Sequence, residues 1–241
     1  EIRDQYRVIN LALSPDVRPT VTGEDDSDGN RMVTTALAGE WALTPRLMLR
    51  GRGYYKQLEQ DGGSFSFEQK AYGARLTAEY QASPGWRFRG GVGGSATDGT
   101  GDPTFLAFDV GIRTPDRNSL GFSLDVSSEG LDETAALARR GVRGSAAVLS
   151  TRWFPSTAWR VDGSLSIGVF WGDEANARRG WFAGVTRRLG AGFSLGLAHR
   201  CLSFEKNLDE GYFDPDFYGI VEVTSYWLYR PAPWSVLVEV A

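Results

Sequence analysis

The stretch from Trp153 to Trp181 constrains this chain more than any other. Between Trp159 and Val169 one parity reads Trp159, Val161, Gly163, Leu165, Ile167, Val169, and the other reads Arg160, Asp162, Ser164, Ser166, Gly168. Successive side chains of an extended backbone point to opposite faces, so this period of two specifies a strand with one apolar and one polar face. A tight turn around Pro155, flanked by Trp153 and Trp159, precedes it, and the polar run Gly172-Asp173-Glu174-Ala175-Asn176 follows. An apolar side for lipid, a polar side for a lumen, tryptophan at the boundary, and rims of unequal loop length make up the repeating unit of a transmembrane β-barrel.

The rest of the chain repeats the unit. About thirteen segments alternate in this way, each near the roughly 9–11 residues of a barrel strand. They run 5–13, 31–42, 46–57, 68–81, 86–95, 104–113, 119–127, 145–153, 159–170, 180–188, 192–203, 217–229 and 234–241. Tight connections at 44–46, 83–85, 114–118, 154–157, 189–191 and 230–233 carry proline, glycine, asparagine or aspartate, the residues that fit turns. They alternate without a break with longer ones at 14–30, 58–67, 96–103, 128–144, 171–179 and 204–216. A soluble sandwich shares the gross composition, 41% hydrophobic with 30 glycines and 12% aromatics. Its Greek-key connections, however, give no reason to sort loops this way. No apolar run approaches the ~20 residues of a membrane helix. The reading is an all-β, up-and-down antiparallel transmembrane barrel spanning residues 1–241 as one domain. With short turns facing the periplasm, strand one rises and strand thirteen ends on the outer side. Bacterial barrels have even strand numbers with both ends inside, so the expectation is a domain incomplete at one or both ends. It would be part of a barrel of about 14–16 strands.

The parities assign the two faces. Trp41, Tyr80, Trp86, Trp153, Trp159 and Trp234, with Tyr229, lie on the outward parity close to the short turns, where an aromatic girdle would sit at the periplasmic interface. The inward parity carries Arg50, Arg52, Lys56, Arg75, Arg87, Arg89, Arg113, Arg160, Arg188 and Arg200, with Glu40, Glu79, Asp109, Asp125, Asp162, Glu222 and Glu239. Such charges are natural around water and ruinous in a dry core. Two roles stay open for them: cross-strand pairing that stiffens the wall, or a solute path selected by charge. Net charge is −4, which speaks against a nucleic-acid partner. One cysteine, Cys201, excludes an internal disulfide framework.

Signals for chemistry are sparse, and no enzyme, cofactor or metal site is expected. His199, the single histidine, falls on the outward parity beside Cys201 and Ser203 with no acid near, which is poor material for a nucleophilic triad. Glu24 to Gly29 has acids at alternate positions, but the closing Glu of a calcium loop would fall at Thr35. Gly90-Gly91-Val92-Gly93-Gly94 lies within a strand, where glycine bends or crowds the wall rather than cradling phosphate. Leu131 to Arg140 could form one or two helical turns, acids first and arginines last in keeping with the helix dipole; it is either a plug or lid, or a plain surface loop.

The most specific stretch is Gly211-Tyr212-Phe213-Asp214-Pro215-Asp216-Phe217-Tyr218. It resembles the Gly-Tyr-Phe-x-Pro signature near the end of the C-terminal barrel of tetratricopeptide-repeat exopolysaccharide exporters of the cellulose and poly-N-acetylglucosamine type. Asp214 and Asp216 stand where small or amide residues are more usual. The resemblance implies further strands after the motif and a periplasmic helical-repeat domain before the barrel. It also implies a passive outer-membrane export channel in a Gram-negative-type bacterium, driven by synthesis at an inner-membrane synthase complex. A polysaccharide would then pass Arg50, Arg52, Arg87, Arg89, Arg113, Arg160, Asp162 and Arg200. Gly211, Tyr212, Phe213, Asp214, Pro215 and Tyr218 would stand at the exit. The alternatives are a diffusion porin for small solutes and a structural outer-membrane anchor of a larger assembly.

Overall fold

A computed structural model describes residues 15–25, 29–61, 66–83, 85–98, 103–115, 119–190, 192–208, 214–229 and 236–240. Thirteen strands form one sheet in which each pairs only with its sequence neighbours, all antiparallel. They are β1 (Asp16–Asp25), β2 (Asn30–Thr44), β3 (Leu47–Asp61), β4 (Ser66–Ser83), β5 (Trp86–Thr97), β6 (Thr104–Arg113) and β7 (Leu120–Gly130). After a short helix, α1 (Ala135–Arg140), follow β8 (Arg143–Ser156), β9 (Trp159–Trp171), β10 (Ala175–Gly190), β11 (Phe193–Phe204), β12 (Tyr218–Tyr229) and β13 (Val236–Val240). This is the up-and-down transmembrane barrel fold expected from the alternation. The sheet is not closed among the described residues: β1 and β13 are its two edges.

Short turns are built by local chemistry. Thr44 Oγ1 accepts from the amides of Arg46 (3.2 Å) and Leu47 (3.0 Å), folding β2 onto β3. Ser156 Oγ accepts from the Ala158 amide at 3.3 Å between β8 and β9. On the other rim the strands run longer than the alternation indicates. The segment expected as loop 171–179 is a three-residue turn, because β10 starts at Ala175 and Asn176 pairs with Phe170. Likewise β3 and β4 pair as far as Asp61 and Ser66.

The largest correction concerns the first strand. Residues 5–13 lie outside the described residues, and the expected loop 14–30 contains β1, paired residue by residue with β2 from Asp16↔Glu40 to Asp25↔Arg31. Pro19 sits within it, opposite Leu37. An edge strand leaves half its amides unpaired, so a residue without an N–H is tolerated there.

The outer face is a continuous apolar surface. Leu165, Ile167, Val221 and Leu106 are each more than three-fifths exposed, as are many of their outward neighbours. In water such a surface would be an aggregation liability; in lipid it is the contact surface. Trp41, Tyr80, Trp86, Trp153 and Trp159 stand on this face at the short-turn end. Trp41 lies over Gly39 and Gly51, where an added Cβ on Gly39 would come within 2.8 Å of its ring. Trp86 stacks on Phe88 at 6.3 Å, and Arg187 lies 5.1 Å from the ring centroid of Trp159. Trp234 and the side chain of Tyr229 lie outside the described residues. Tyr55, paired across strands with Tyr72, and Trp171, with Arg143 5.9 Å from its ring centroid, form a second aromatic level nearer the other rim. From Trp159 to Trp171, the ends of the thirteen-residue β9, the path is about 40 Å at ~3.3 Å per residue. A strand tilt of roughly 40° reduces its height to about 30 Å, the thickness of a hydrocarbon core.

The two faces make opposite demands on substitution. Leu165→Arg, on the lipid side, is expected to destabilise the folded protein in liposomes by about 2–4 kcal/mol, whereas Ser164→Arg next to it stays within about 1 kcal/mol. Urea unfolding followed by heat-modifiable gel mobility checks this, and equal losses would contradict the assigned faces.

Candidate functional site on the inner face

The inner face is a wall of charge. Across β2, β3 and β4, Arg50 donates to Glu40 Oε1 (3.1 Å) and Glu79 Oε2 (3.0 Å), and Arg87 on β5 reaches Glu79 at 3.7 Å. Higher on the same wall, Arg75 sits 2.9 Å from Asp109 and 3.1 Å from Glu129. Arg89 sits 3.1 Å from Asp109 and 2.8 Å from Asp125. Each of these three, Arg50, Arg75 and Arg89, therefore lies between two carboxylates. Most of these side chains are partly exposed, and such pairs contribute only about 0–1 kcal/mol each. Their effect is to fix the wall's shape.

Glycine makes the ladder possible. A Cβ at Gly91 would collide with the Asp109 carboxylate and with Thr77, and one at Gly111 would meet Asp125 Oδ1 at 2.5 Å. Gly91 and Gly111 thus leave space on the wall into which the Asp109 and Asp125 carboxylates fold.

The connection between β7 and β8 does not project outward; it packs against the inner sides of β3 and β4. Tyr54 Oη donates to Asp132 Oδ2 at 2.6 Å, and Lys56 Nζ donates to Asp132 Oδ1 at 2.7 Å and to its carbonyl at 3.2 Å. Lys56 and Asp132 side chains are only 14% and 12% exposed, so both partners of this pair are desolvated, whereas in the ladder each arginine is more exposed. Behind it, Ala135 and Ala138 of α1 pack with Leu58 and Ala71, and Thr97 donates to the Ala138 carbonyl at 2.9 Å. The helix is shorter than the 131–140 expected. Thr134, not an acid, caps it by accepting from the Leu137 amide, and Gly141 ends it in the left-handed region. Of the two acids expected at its start, Asp132 anchors the loop to the wall. The segment thus lies folded against the inner face of β3 and β4.

Further along the sheet, β6 to β10 line an open cavity of about 340 Å³ with Arg113, Ser123, Ser150, Arg152, Arg160, Asp162, Ser164 and Phe182. Asp162 accepts from Arg152 at 3.1 Å and from Arg160 at 3.0 Å. It opens into a groove of about 620 Å³ that shares Arg160, Asp162 and Phe182 and continues past Arg188, Arg200, Glu222 and Tyr226. Arg200 is 3.8 Å from Glu222, with its guanidinium carbon 5.9 Å from the Phe182 ring centroid. Arg52, the remaining lumen candidate, lies 6.0 Å from the Tyr54 ring centroid beside the loop anchor. The sequence candidates are thus split between two walls.

Gly211, Tyr212 and Phe213 lie outside the described residues. Asp214 is buried, where it accepts from the Leu208 amide and from Asn176 Nδ2 at 3.5 Å. Fully buried Asn176 in turn exchanges hydrogen bonds with the backbone of Lys206, and the Phe204 amide donates to the Pro215 carbonyl. Asp214 and the Pro215 carbonyl staple the β11–β12 loop, while Phe217 and Tyr218 are exposed. On the same rim Lys206 lies 2.8 Å from Glu174 and holds that carboxylate below its ordinary range through a hydrogen bond and its charge. Tyr218 pairs with Leu202 on the inward parity. On the outer face His199 packs on Trp181 at 4.5 Å; Cys201 is buried there, opposite Trp181. Asp25 of the acidic run pairs with Arg31, and residues 26–28 lie outside the described residues.

Neither a protein-family model nor a curated protein sequence matches the chain. Solved structures do resemble it in fold. A bacterial polysaccharide outer membrane secretin superposes with a TM-score of 0.67 at 13% identity, over 91% of this chain and 74% of that one. The FrpB iron transporter from Neisseria meningitidis gives 0.60 at 10% identity over 87% of this chain. The copper transporter OprC gives 0.51 at 9% over 82%. This chain spans 42% of the length of the FrpB chain and 48% of OprC. The fold is that of outer-membrane β-barrels, and the apolar outer face with its two aromatic levels places the chain in such a membrane.

Removing Asp132 leaves Lys56 desolvated without its partner, a loss of about 3–5 kcal/mol at the anchor. Asp132→Ala is therefore expected to free the loop, seen as faster proteolysis within 131–142 while the heat-modifiable barrel persists. Protection equal to the parent protein would show that the anchor is not what holds the loop.

Proposed function

We propose that this chain forms the wall of an outer-membrane conduit that exports an exopolysaccharide. One observation carries this reading: guanidinium groups, serine and threonine hydroxyls and the rings of Phe182 and Tyr226 line one connected groove on the inner wall. Sugar hydroxyls take hydrogen bonds from such donors, and flat sugar faces stack on such rings. The fold shared with a polysaccharide secretin and the partial Gly-Tyr-Phe-x-Pro resemblance support it. On this reading the barrel supplies no energy. Polymer synthesis at the inner membrane would push the chain through, with the periplasmic helical-repeat domain or the synthase complex as protein partners and outer-membrane lipid around the wall. No catalytic step or cofactor is assigned to it.

The inward loop favours a second reading, because a segment folded against the wall also narrows a diffusion porin for small solutes. Planar-bilayer recordings separate the two. For an exporter, neutral and charged oligosaccharides of rising length should block the current with dwell times that lengthen with chain length, and deleting residues 131–142 should raise conductance severalfold. Dwell times independent of length would overturn the exporter reading in favour of the porin.

A further inference from the structure

We propose that the recess between the β7–β8 loop and the wall is a binding site for a pyranose unit of the polymer, and that a sugar seated there holds the loop in place. This deepens the conduit reading and rests on it. The loop does not close fully onto the wall. Leu131, Asp132 and Glu133 on one side and Arg52, Tyr54 and Arg75 on the other leave a space of about 290 Å³ between them. None of its lining residues belongs to the groove past Phe182 and Tyr226.

The floor of the recess is aromatic. Tyr54 and Gly73 are cross-strand partners on β3 and β4, and a Cβ on Gly73 would come within 2.7–2.8 Å of Tyr54 Cε1, Cζ and Oη. The far half of the ring therefore lies across bare backbone of β4. Asp132 holds its Oη at 2.6 Å, so the ring is fixed before a ligand arrives, and a fixed partner loses less entropy on binding. The apolar face of a pyranose stacks on such a ring.

Around the ring, donors and acceptors stand side by side. Arg52 and Lys56 lie 6.0 and 5.5 Å from its centroid. Arg75 is held by Asp109 at 2.9 Å and Glu129 at 3.1 Å, and Ser95 adds a hydroxyl. Sugar hydroxyls donate and accept at once, so a surface carrying both guanidinium groups and carboxylates suits them. A polyanion entering the same space would meet Glu129, Asp132 and Glu133, so the seat favours an uncharged sugar. Because the loop forms one side of the recess, the site is complete only while the loop is docked. A ligand that binds one of two states shifts the equilibrium towards that state. A passing chain thus pins the loop against the wall, and by the same linkage freeing the loop weakens sugar binding.

The refolded full chain in detergent tests this with cellohexaose, a galacturonate hexamer and sorbitol. Isothermal titration reads binding, and proteolysis within 131–142 reads the loop. A ligand confined to the docked state lowers cleavage by one plus the ratio of its concentration to Kd, so cellohexaose at about five times its Kd should slow cleavage about sixfold. Sorbitol, with hydroxyls but no ring face, should leave cleavage unchanged. Tyr54→Phe keeps the ring and loses the Oη bond, whereas Tyr54→Ala loses both. Cellohexaose affinity is expected to fall by less than about threefold in the first and by about tenfold in the second. Arg52→Gln, which leaves the Asp132 anchor intact, should weaken binding about threefold and serves if Tyr54→Ala does not fold. No binding of cellohexaose, binding that leaves cleavage unchanged, or equal losses in the two Tyr54 variants overturns the proposal. Sorbitol protecting the loop as well as the hexamer does, or tighter binding of the galacturonate hexamer, overturns it too. A protein whose loop responds to cellohexaose but that passes no current in bilayers keeps the subsite and loses the conduit. One that conducts with length-dependent block while its loop ignores sugar keeps the conduit and loses the subsite.

Discussion

The structure depends first on a solvent that offers no hydrogen bonds. In hydrocarbon every unpaired N–H or C=O costs several kcal/mol, so a chain crossing it in extended form must pair each strand with neighbours along its full membrane height. Among the described residues, β2 to β12 meet that demand by pairing on both sides with their sequence neighbours. Once the ladder is in place, side chains alternate by geometry alone. One parity must then be apolar because lipid touches it, and the other is free to be polar. Arg50 and Arg160 on one face and Leu49 and Val161 on the other are consequences of the same backbone constraint.

That freedom is used differently around the inner surface. The β2–β7 wall carries guanidinium groups between pairs of carboxylates, made possible by bare backbone at Gly91 and Gly111. The β8–β12 wall brings arginine beside hydroxyls and rings. On the β2–β7 wall itself, a desolvated Lys56–Asp132 pair fastens the β7–β8 loop to a strand far away in sequence. The exposed ladder is individually weak and shapes the wall; the desolvated pair is costly to break and holds a moving part. Where the loop lies therefore rests on one gripped carboxylate, together with the apolar seat of α1 on Leu58 and Ala71 and the Thr97 hydrogen bond.

Most of the fold was legible because membrane strands obey a rule stricter than propensity. β9 could be read residue by residue, since every alternate position is disciplined by lipid. β1 was not, because its outward parity of Val17, Pro19, Val21 and Gly23 is weak and Pro19 argues against a strand unless its edge position is known. Strand ends near the rim were read as loops for the same reason: beyond the lipid, Asn176 and Arg178 keep pairing without an apolar partner. Lumen arginines followed from parity, yet their partners did not. Arg152 was passed over although it alternates in phase with Ser150 and pairs with Asp162 across the hairpin. Glu129 was assigned to a loop. Nothing local links Tyr54 and Lys56 to Asp132, since that contact exists only after the sheet has curled. Asp214 of the motif was placed at the channel exit, and the fold buries it against Asn176 and the Leu208 amide.

The central claim is that one parity of these strands faces water and the other lipid. It is tested most directly by single cysteines placed one at a time from Arg160 to Gly168 along β9, in a Cys201→Ala background reconstituted in liposomes. A charged, membrane-impermeant maleimide should label positions 160, 162, 164, 166 and 168, while a nitroxide on the acyl chains should quench fluorophores at 161, 163, 165 and 167. A clean two-residue period in both readouts, in opposite phase, is the expected result. Labelling without period, or the aqueous reagent reaching Leu165 and Ile167 as readily as Ser164 and Ser166, would contradict the barrel and the conduit built on it.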